Sequence, residues 1–146
     1  MKVVLQQVSE ARVEVEGSVV GEIGFGYVLL TAITDTDTEA ELVWMAEKVL
    51  NLRICRDDEG KLNRSLCDLN RGELLVISQF TLYGDCRKGR RPSYIKSARP
   101  EVAAPMVERF AKLLHQRGFT VATGIFGAHM KVSLTNDGPI TLIVER

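Results

Sequence analysis

The stretch Thr135-Asn136-Asp137-Gly138-Pro139-Ile140-Thr141 constrains this fold more than any other. Upstream, Met130-Lys131-Val132-Ser133-Leu134 alternates apolar with polar side chains, and downstream Ile140-Thr141-Leu142-Ile143-Val144 is rich in β-branched residues. Strands are therefore expected on both sides, Met130 to Thr135 and Ile140 to Val144. Pro139 has no N–H to give to a ladder and Gly138 carries no Cβ, so the chain between must bend. A hairpin or connecting turn is one reading of this residue order. The other is a functional turn, whose carbonyls lack strand partners and are left to face a ligand.

The remaining elements alternate without a linker, repeat or low-complexity block, so residues 1–146 are expected to fold as a single domain. Val3 to Glu16 reads as one long strand or a bulged pair, Glu16-Gly17-Ser18 as a turn, and Val19 to Ile23 as the return. Tyr27 to Ile33 has a buried-strand pattern. Thr38-Glu39-Ala40-Glu41 matches a capping box, opening a helix with Leu42, Met45, Ala46, Val49 and Leu50 on one face. Arg53-Ile54-Cys55 reads as a short strand, residues 57–61 as a turn, and Leu62 to Leu69 as irregular. Glu73 to Leu82 reads as a strand. A second helix carries Val102, Met106, Phe110, Leu113 and Leu114 on one face and closes at Gly118; Pro105 argues for a start nearer Ala104 than Pro100. Thr120 to Ala122 is a further strand. Strands in clusters broken by two main helices give the α+β class, with a largely antiparallel or mixed sheet.

Composition narrows the function. At 146 residues, 45% hydrophobic and 26% charged, the chain can bury a core without disulfides or metal. No apolar run reaches membrane-spanning length and Met1-Lys2-Val3-Val4-Leu5-Gln6-Gln7 breaks too early for a signal-peptide core, so a cytoplasmic location is expected. Cys55, Cys67 and Cys86 lack Cys-x-x-Cys spacing and read as reduced thiols. With 19 basic and 19 acidic residues, global charge captures neither DNA nor RNA, and any RNA contact must be local. The basic cluster Arg87-Lys88-Gly89-Arg90-Arg91 is either a solvated loop or a guide for a phosphate backbone.

Catalytic constellations are sparse. The chain has two histidines, and no Gly-x-Ser-x-Gly elbow surrounds Ser78, which argues against a Ser-His-Asp triad. Cys86 has no identified base, and no His-x-x-x-His or Cys/His cluster suggests a metal. What remains is Val76-Ile77-Ser78-Gln79-Phe80-Thr81-Leu82-Tyr83-Gly84-Asp85, which gathers Ser78, Gln79 and Thr81 near the end of an apolar segment. Phe126 and Met130 read as core on their residue types alone.

Ser78-Gln79-Phe80-Thr81-Leu82 together with Asn136-Asp137-Gly138-Pro139-Ile140-Thr141 resembles the two signature motifs of the D-aminoacyl-tRNA deacylases, at similar positions in a chain of similar length. Arg91-Pro92-Ser93-Tyr94, Gly124-Ile125-Phe126-Gly127-Ala128-His129-Met130 and Val13-Glu14-Val15-Glu16-Gly17 extend the resemblance over essentially the whole chain. It implies a rolled sheet flanked by helices, a homodimer, no cofactor, and hydrolysis of the ester of a tRNA carrying a D-amino acid or glycine. Ser78, Gln79, Phe80 and Thr81 would line the pocket for the ester, with backbone N–H groups of Phe80 and Thr81 near its carbonyl oxygen. Thr81 hydroxyl and the ribose 2′-hydroxyl are alternative participants. The bond before Pro139 would be cis, and Gly138 and Pro139, braced by Asn136, Asp137 and Thr141, would enter the partner's site, hold the substrate ammonium and reject L side chains sterically. Phe126 and Met130 would wall the pocket for the terminal adenine, while Arg87, Lys88, Arg90 and Arg91 would contact tRNA. Two alternatives remain: a catalytically silent homodimeric module that binds RNA or protein, and a serine hydrolase of small esters.

Overall fold

A computed structural model describes residues 1–146, the side chain of Pro139 excepted. β1 (Lys2–Val15) organises the sheet. β2 (Ser18–Ile23) and then β3 (Gly26–Ala32) run antiparallel to it, pairing with Ala11–Val15 and Lys2–Val8 respectively. Glu16 and Gly17 make the first turn with φ of 51° and 82°, the left-handed pair that matches the twist of a tight hairpin. The last strand, which runs antiparallel along both halves of β1, spans Met130–Glu145.

α1 (Glu39–Asn51) leaves the end of β3 and buries the predicted face, Leu42, Met45, Ala46, Val49 and Leu50. Its capping box is formed as the sequence indicates, with Glu41 Oε2 accepting from the Thr38 N–H at 2.8 Å. β4 (Cys55–Arg56) and β5 (Leu62–Arg64) pair as a small separate ribbon, and α2 (Leu66–Leu69) follows. The segment expected to be irregular is thus ordered. Ser65 and Asp68 form a reciprocal cap that sustains a single helical turn, too short to leave a periodic signal.

β6 (Glu73–Ser78) lies parallel to β3, and β7 (Thr120–Thr123) lies parallel to β6. α1 and α3 (Pro100–Gln116) make the crossovers that parallel neighbours require. α3 begins at Pro100 rather than near Ala104. At the first helical position the missing N–H would be unpaired anyway, and Pro105 sits on the exposed side, where it removes only one later bond. Val102, placed on the apolar face by spacing, is exposed.

β6 also stops earlier than its sequence suggests. Gln79 donates its N–H to Thr31 O at 2.7 Å beyond the last rung, then leaves the extended region at φ −146°, ψ 73°. Phe80–Tyr83 form a single 3₁₀ turn. The run Phe80 to Leu82 cannot continue the strand, because β3 ends at Ala32 and offers no further partner.

The Gly138 segment is a bulge rather than a hairpin. Both flanks lie in one strand, β8 (Met130–Glu145), and both pair with β1: Thr141 with Gln6, but Asn136 with Val8. The residues between them are looped out opposite Gln7. The sheet rolls until β2 meets β7, where a Cβ on Gly21 would come within 2.7 Å of the Thr123 carbonyl. One apolar cluster fills the space under α1 and α3, and a second, with Val8, Val13, Val28, Leu75 and Ile77, fills the inside of the roll.

Candidate active site

β3 and β6 end side by side, and the cavity lies just beyond their carboxyl ends, the usual ligand position for parallel strands. It measures about 330 Å³ and is mainly apolar, with Ala32, Ile33, Ala103 and Val107 as its floor and Ser78, Gln79, Phe80 and Phe126 at its mouth. The structure therefore brings four of the predicted residues together. Phe80 (57% exposed), Phe126 (40%) and Tyr94 (39%) leave three aromatic rings half uncovered around the opening.

Thr81 is next to this mouth on the 3₁₀ turn. Its hydroxyl accepts from Gln79 Nε2 at 2.5 Å. An amide NH₂ can donate but has no means of taking a proton, so this contact orients Thr81 without activating it. Among the described residues, neither Phe80 nor Thr81 N–H finds a backbone acceptor, as expected for the first donors of a helical turn. Both remain available to a ligand.

Ser78 also borders a neighbouring groove between α3 and β7 that His115 lines. No hydrogen bond joins the two side chains among the described residues; His115 Nδ1 instead lies 3.3 Å from Phe119 O. His129 is exposed. Burial pushes the Cys55 thiol up, and it pairs with the Tyr27 hydroxyl at 3.2 Å deep in the core. Cys67 is likewise held above its ordinary value by desolvation. Neither is a thiolate at neutral pH.

Met130 stands apart from the cavity, with its sulfur packed over Gly124 beside Ile77. The β8 bulge lies elsewhere again. Asp137 and Gly138 line a second cavity of about 210 Å³ with Gln7, Cys55, Arg56 and Arg71, sharing no residue with the first. The neck of the bulge is closed by Asn136 Nδ2, which donates to Gln7 O at 2.7 Å and to Ile140 O at 3.0 Å. Gln7 Nε2 reaches Asp137 Oδ2 at 3.4 Å, while the buried Gln7 Oε1 has no partner among the described residues. The expected cis bond before Pro139 falls outside the described residues.

Gln7 went unnoticed in the sequence, yet it carried a signal. It follows Val3 and Leu5 at the inward positions of β1, where a polar side chain needs a reason. Thr141 was expected to brace the turn; its hydroxyl accepts from Gln6 Nε2 at 3.2 Å, on the strand just past the bulge.

The basic cluster forms a loop after the 3₁₀ turn, closed by the bridge between Asp85 and Ser93. Arg87 pairs with Asp85 at 2.5 Å, and that guanidinium holds the Asp85 carboxyl down at about 2. Lys88, Arg90 and Arg91 are exposed and make no ion pair among the described residues.

A rolled mixed sheet with this turn at its parallel strand ends defines a class, and comparison with known proteins identifies it. The family described as D-Tyr-tRNA(Tyr) deacylase matches residues 4–145. The D-aminoacyl-tRNA deacylase of Brevibacillus brevis is 55% identical over 145 residues, covering 99% of each chain. That of Thermus aquaticus is 53% identical over 99% of this chain and 95% of its own. Among solved structures, the c-Myc DNA Unwinding Element Binding Protein superposes with a TM-score of 0.92 at 37% identity, over 100% of this chain and 99% of its own. A probable eukaryotic D-amino acid tRNA deacylase shares the fold, with a TM-score of 0.85 at 21% identity over 98% and 97% of the two chains. The chain belongs to the D-aminoacyl-tRNA deacylase family of hydrolases.

Proposed function

We propose that this protein hydrolyses the ester of D-aminoacyl-tRNA, releasing the D-amino acid and tRNA. The observation that carries this reading is the exposed Phe80–Thr81 turn, with unpaired N–H groups beside an aromatic-rimmed cavity. An aminoacyl ester is already labile, so orienting water and stabilising the oxyanion suffices. Water adds to the ester carbonyl carbon, and the N–H groups of Phe80 and Thr81 receive the negative oxygen. Collapse of the tetrahedral species breaks the bond to the ribose oxygen, which leaves with a proton. The adjacent ribose hydroxyl assists the attacking water, since Gln79 and Thr81 supply no base. The terminal adenine stacks on the exposed rings of the rim, and Lys88, Arg90 and Arg91 meet the tRNA backbone.

The β8 bulge belongs, in this reading, to the site of a second copy. Its exposed Asn136, Asp137 and Gly138 and its separation from the Ser78 cavity support that assignment. Carbonyl oxygens at Gly138 receive the substrate ammonium, and an L side chain then meets the bulge while a D side chain or glycine does not. Charged tRNA places the reaction in the cytoplasm; among the described residues no helix is long and apolar enough to cross a membrane.

Hydrolysis of matched D- and L-tyrosyl-tRNA by the chelator-treated protein, with glycyl-tRNA as third substrate, tests all of this. Loss of the D and glycyl esters with the L ester spared is expected. The likeness to a protein named for binding DNA favours a second reading, a binding module without hydrolysis. Under that reading neither ester is cleaved faster than in buffer. Equal cleavage of both would mean an esterase without a chiral filter.

A further inference from the structure

The 3₁₀ turn is held from outside itself. Phe80 is 57% exposed, so the core does not fix it. The segment that follows the basic loop does. The Tyr94 and Phe80 rings pack edge to face, their centroids 5.2 Å apart and their planes at 72°. Tyr94 also crowds the far end of the turn, where a Cβ on Gly84 would lie 2.9 Å from Tyr94 Cε1. The shortest contact is polar: Ser97 Oγ donates to Phe80 O at 2.7 Å. Ser97 is itself anchored, because its N–H donates to Tyr94 O at 3.0 Å and the next N–H, of buried Ala98, donates to Ile33 O at 2.9 Å beyond the end of β3.

Phe80 C=O and Thr81 N–H are opposite ends of one planar peptide. A donor that fixes the carbonyl therefore fixes the direction of that N–H, and by drawing charge toward the oxygen it makes the N–H a stronger donor. We propose that Ser97 is a positioning residue for hydrolysis: its hydroxyl aims and polarises the Thr81 N–H toward the ester oxygen. The inference rests on the reading of Thr81 N–H as an oxyanion donor. It also gives the segment between the basic loop and α3 a task that no motif in the sequence announces.

Ser97→Ala deletes the hydroxyl and Ser97→Thr keeps it. Steady-state hydrolysis of D-tyrosyl-tRNA is measured for both beside the wild type, with thermal melts to establish equal folding. Loss of one neutral hydrogen bond felt in the transition state corresponds to a fall in kcat of about three- to tenfold. We expect that fall for Ser97→Ala with KM and D/L preference unchanged, and recovery of most of the rate in Ser97→Thr. A residue that only packs the loop would shift KM or the melting temperature and leave kcat alone. Wild-type kcat in a folded Ser97→Ala overturns the role of Ser97 while leaving the deacylase reading intact. A wild type that cleaves neither ester removes that reading, and this inference with it.

Discussion

The turn after β6 and the bulge in β8 are both short departures from a strand, yet they are built in opposite ways. Gln79 ties the first to β3, Ser97 and Tyr94 brace it from the side, and it opens inward on an apolar cavity. The second projects: Asn136, Asp137 and Gly138 are exposed, and the side chain of Asn136 closes its neck with two hydrogen bonds. One region is a concave surface carrying N–H donors, and the other is a convex one. Under the proposed reading the convex bulge of one copy enters the concave cavity of another, so that each chain supplies half of a site.

Gly138 offers the sharpest way to break that comparison. Among the described residues beyond its chain neighbours, a Cβ there meets nothing closer than Asn136 Oδ1 at 3.9 Å, so the first side-chain atom of Gly138→Val enters open space. If the bulge enters another copy's cavity, the same substitution displaces substrate. We expect an unchanged melting temperature and a loss of D-tyrosyl-tRNA hydrolysis of about a hundredfold or more. Co-expression with a Thr81→Pro chain, which lacks the N–H, then restores activity only in mixed dimers. Near-normal hydrolysis by Gly138→Val would confine the bulge to a structural role.

Asn136→Ala attacks the neck instead of the tip. Two neutral hydrogen bonds at about 0.5–1.5 kcal/mol each hold the bulge in one shape, and losing them is expected to cost about tenfold in preference for the D ester over the L ester. A D/L ratio equal to the wild type, measured in the same assay, would mean the bulge keeps its shape without this clamp.

Much of this was legible in the sequence, and the gaps have physical causes. β1, β3 and α1 were readable because each carries its signal locally: a long strand-forming run, a continuous apolar run, and a capping box followed by one apolar helix face. The end of β6 was not, since Phe80, Thr81 and Leu82 have strand-forming side chains and only the lack of a partner beyond Ala32 ends the ladder. The Gly138 segment announced a bend but not its kind; pairing of both flanks with β1 is a long-range fact. Ser78, Gln79, Phe80 and Phe126 were found through motifs, and the structure gathers them. Ser97 belongs to no motif, because its contact with Phe80 is set by how a loop folds back.

A smaller effect is expected from the basic loop, proposed to guide RNA without touching a reacting atom. Replacing Lys88, Arg90 and Arg91 with Ala should raise KM several-fold, leave kcat unchanged and flatten the salt dependence by about one unit of slope per lost phosphate contact. Arg87→Ala should shift KM less, because Asp85 already neutralises that charge. The depressed Asp85 carboxyl contributes to the folded loop above its ordinary range and loses that contribution only as pH falls through about 2. KM measured between pH 6 and 8 should therefore carry no step from this pair. Equal KM for the triple variant at every salt concentration would leave the loop merely solvated.

The smallest effect is the most diagnostic of mechanism. Among the described residues the one hydrogen-bond partner of the Thr81 hydroxyl is Gln79 Nε2, an amide NH₂ that donates and is not basic enough to take its proton. A Thr without a base is a poor nucleophile, whereas the Thr81 N–H survives any substitution except proline. Thr81→Ala is accordingly expected to keep kcat within about threefold of the wild type, the span of one neutral hydrogen bond. A fall of about a thousandfold would instead be the signature of a lost nucleophile, and would move the chemistry from the backbone of this turn to its side chain.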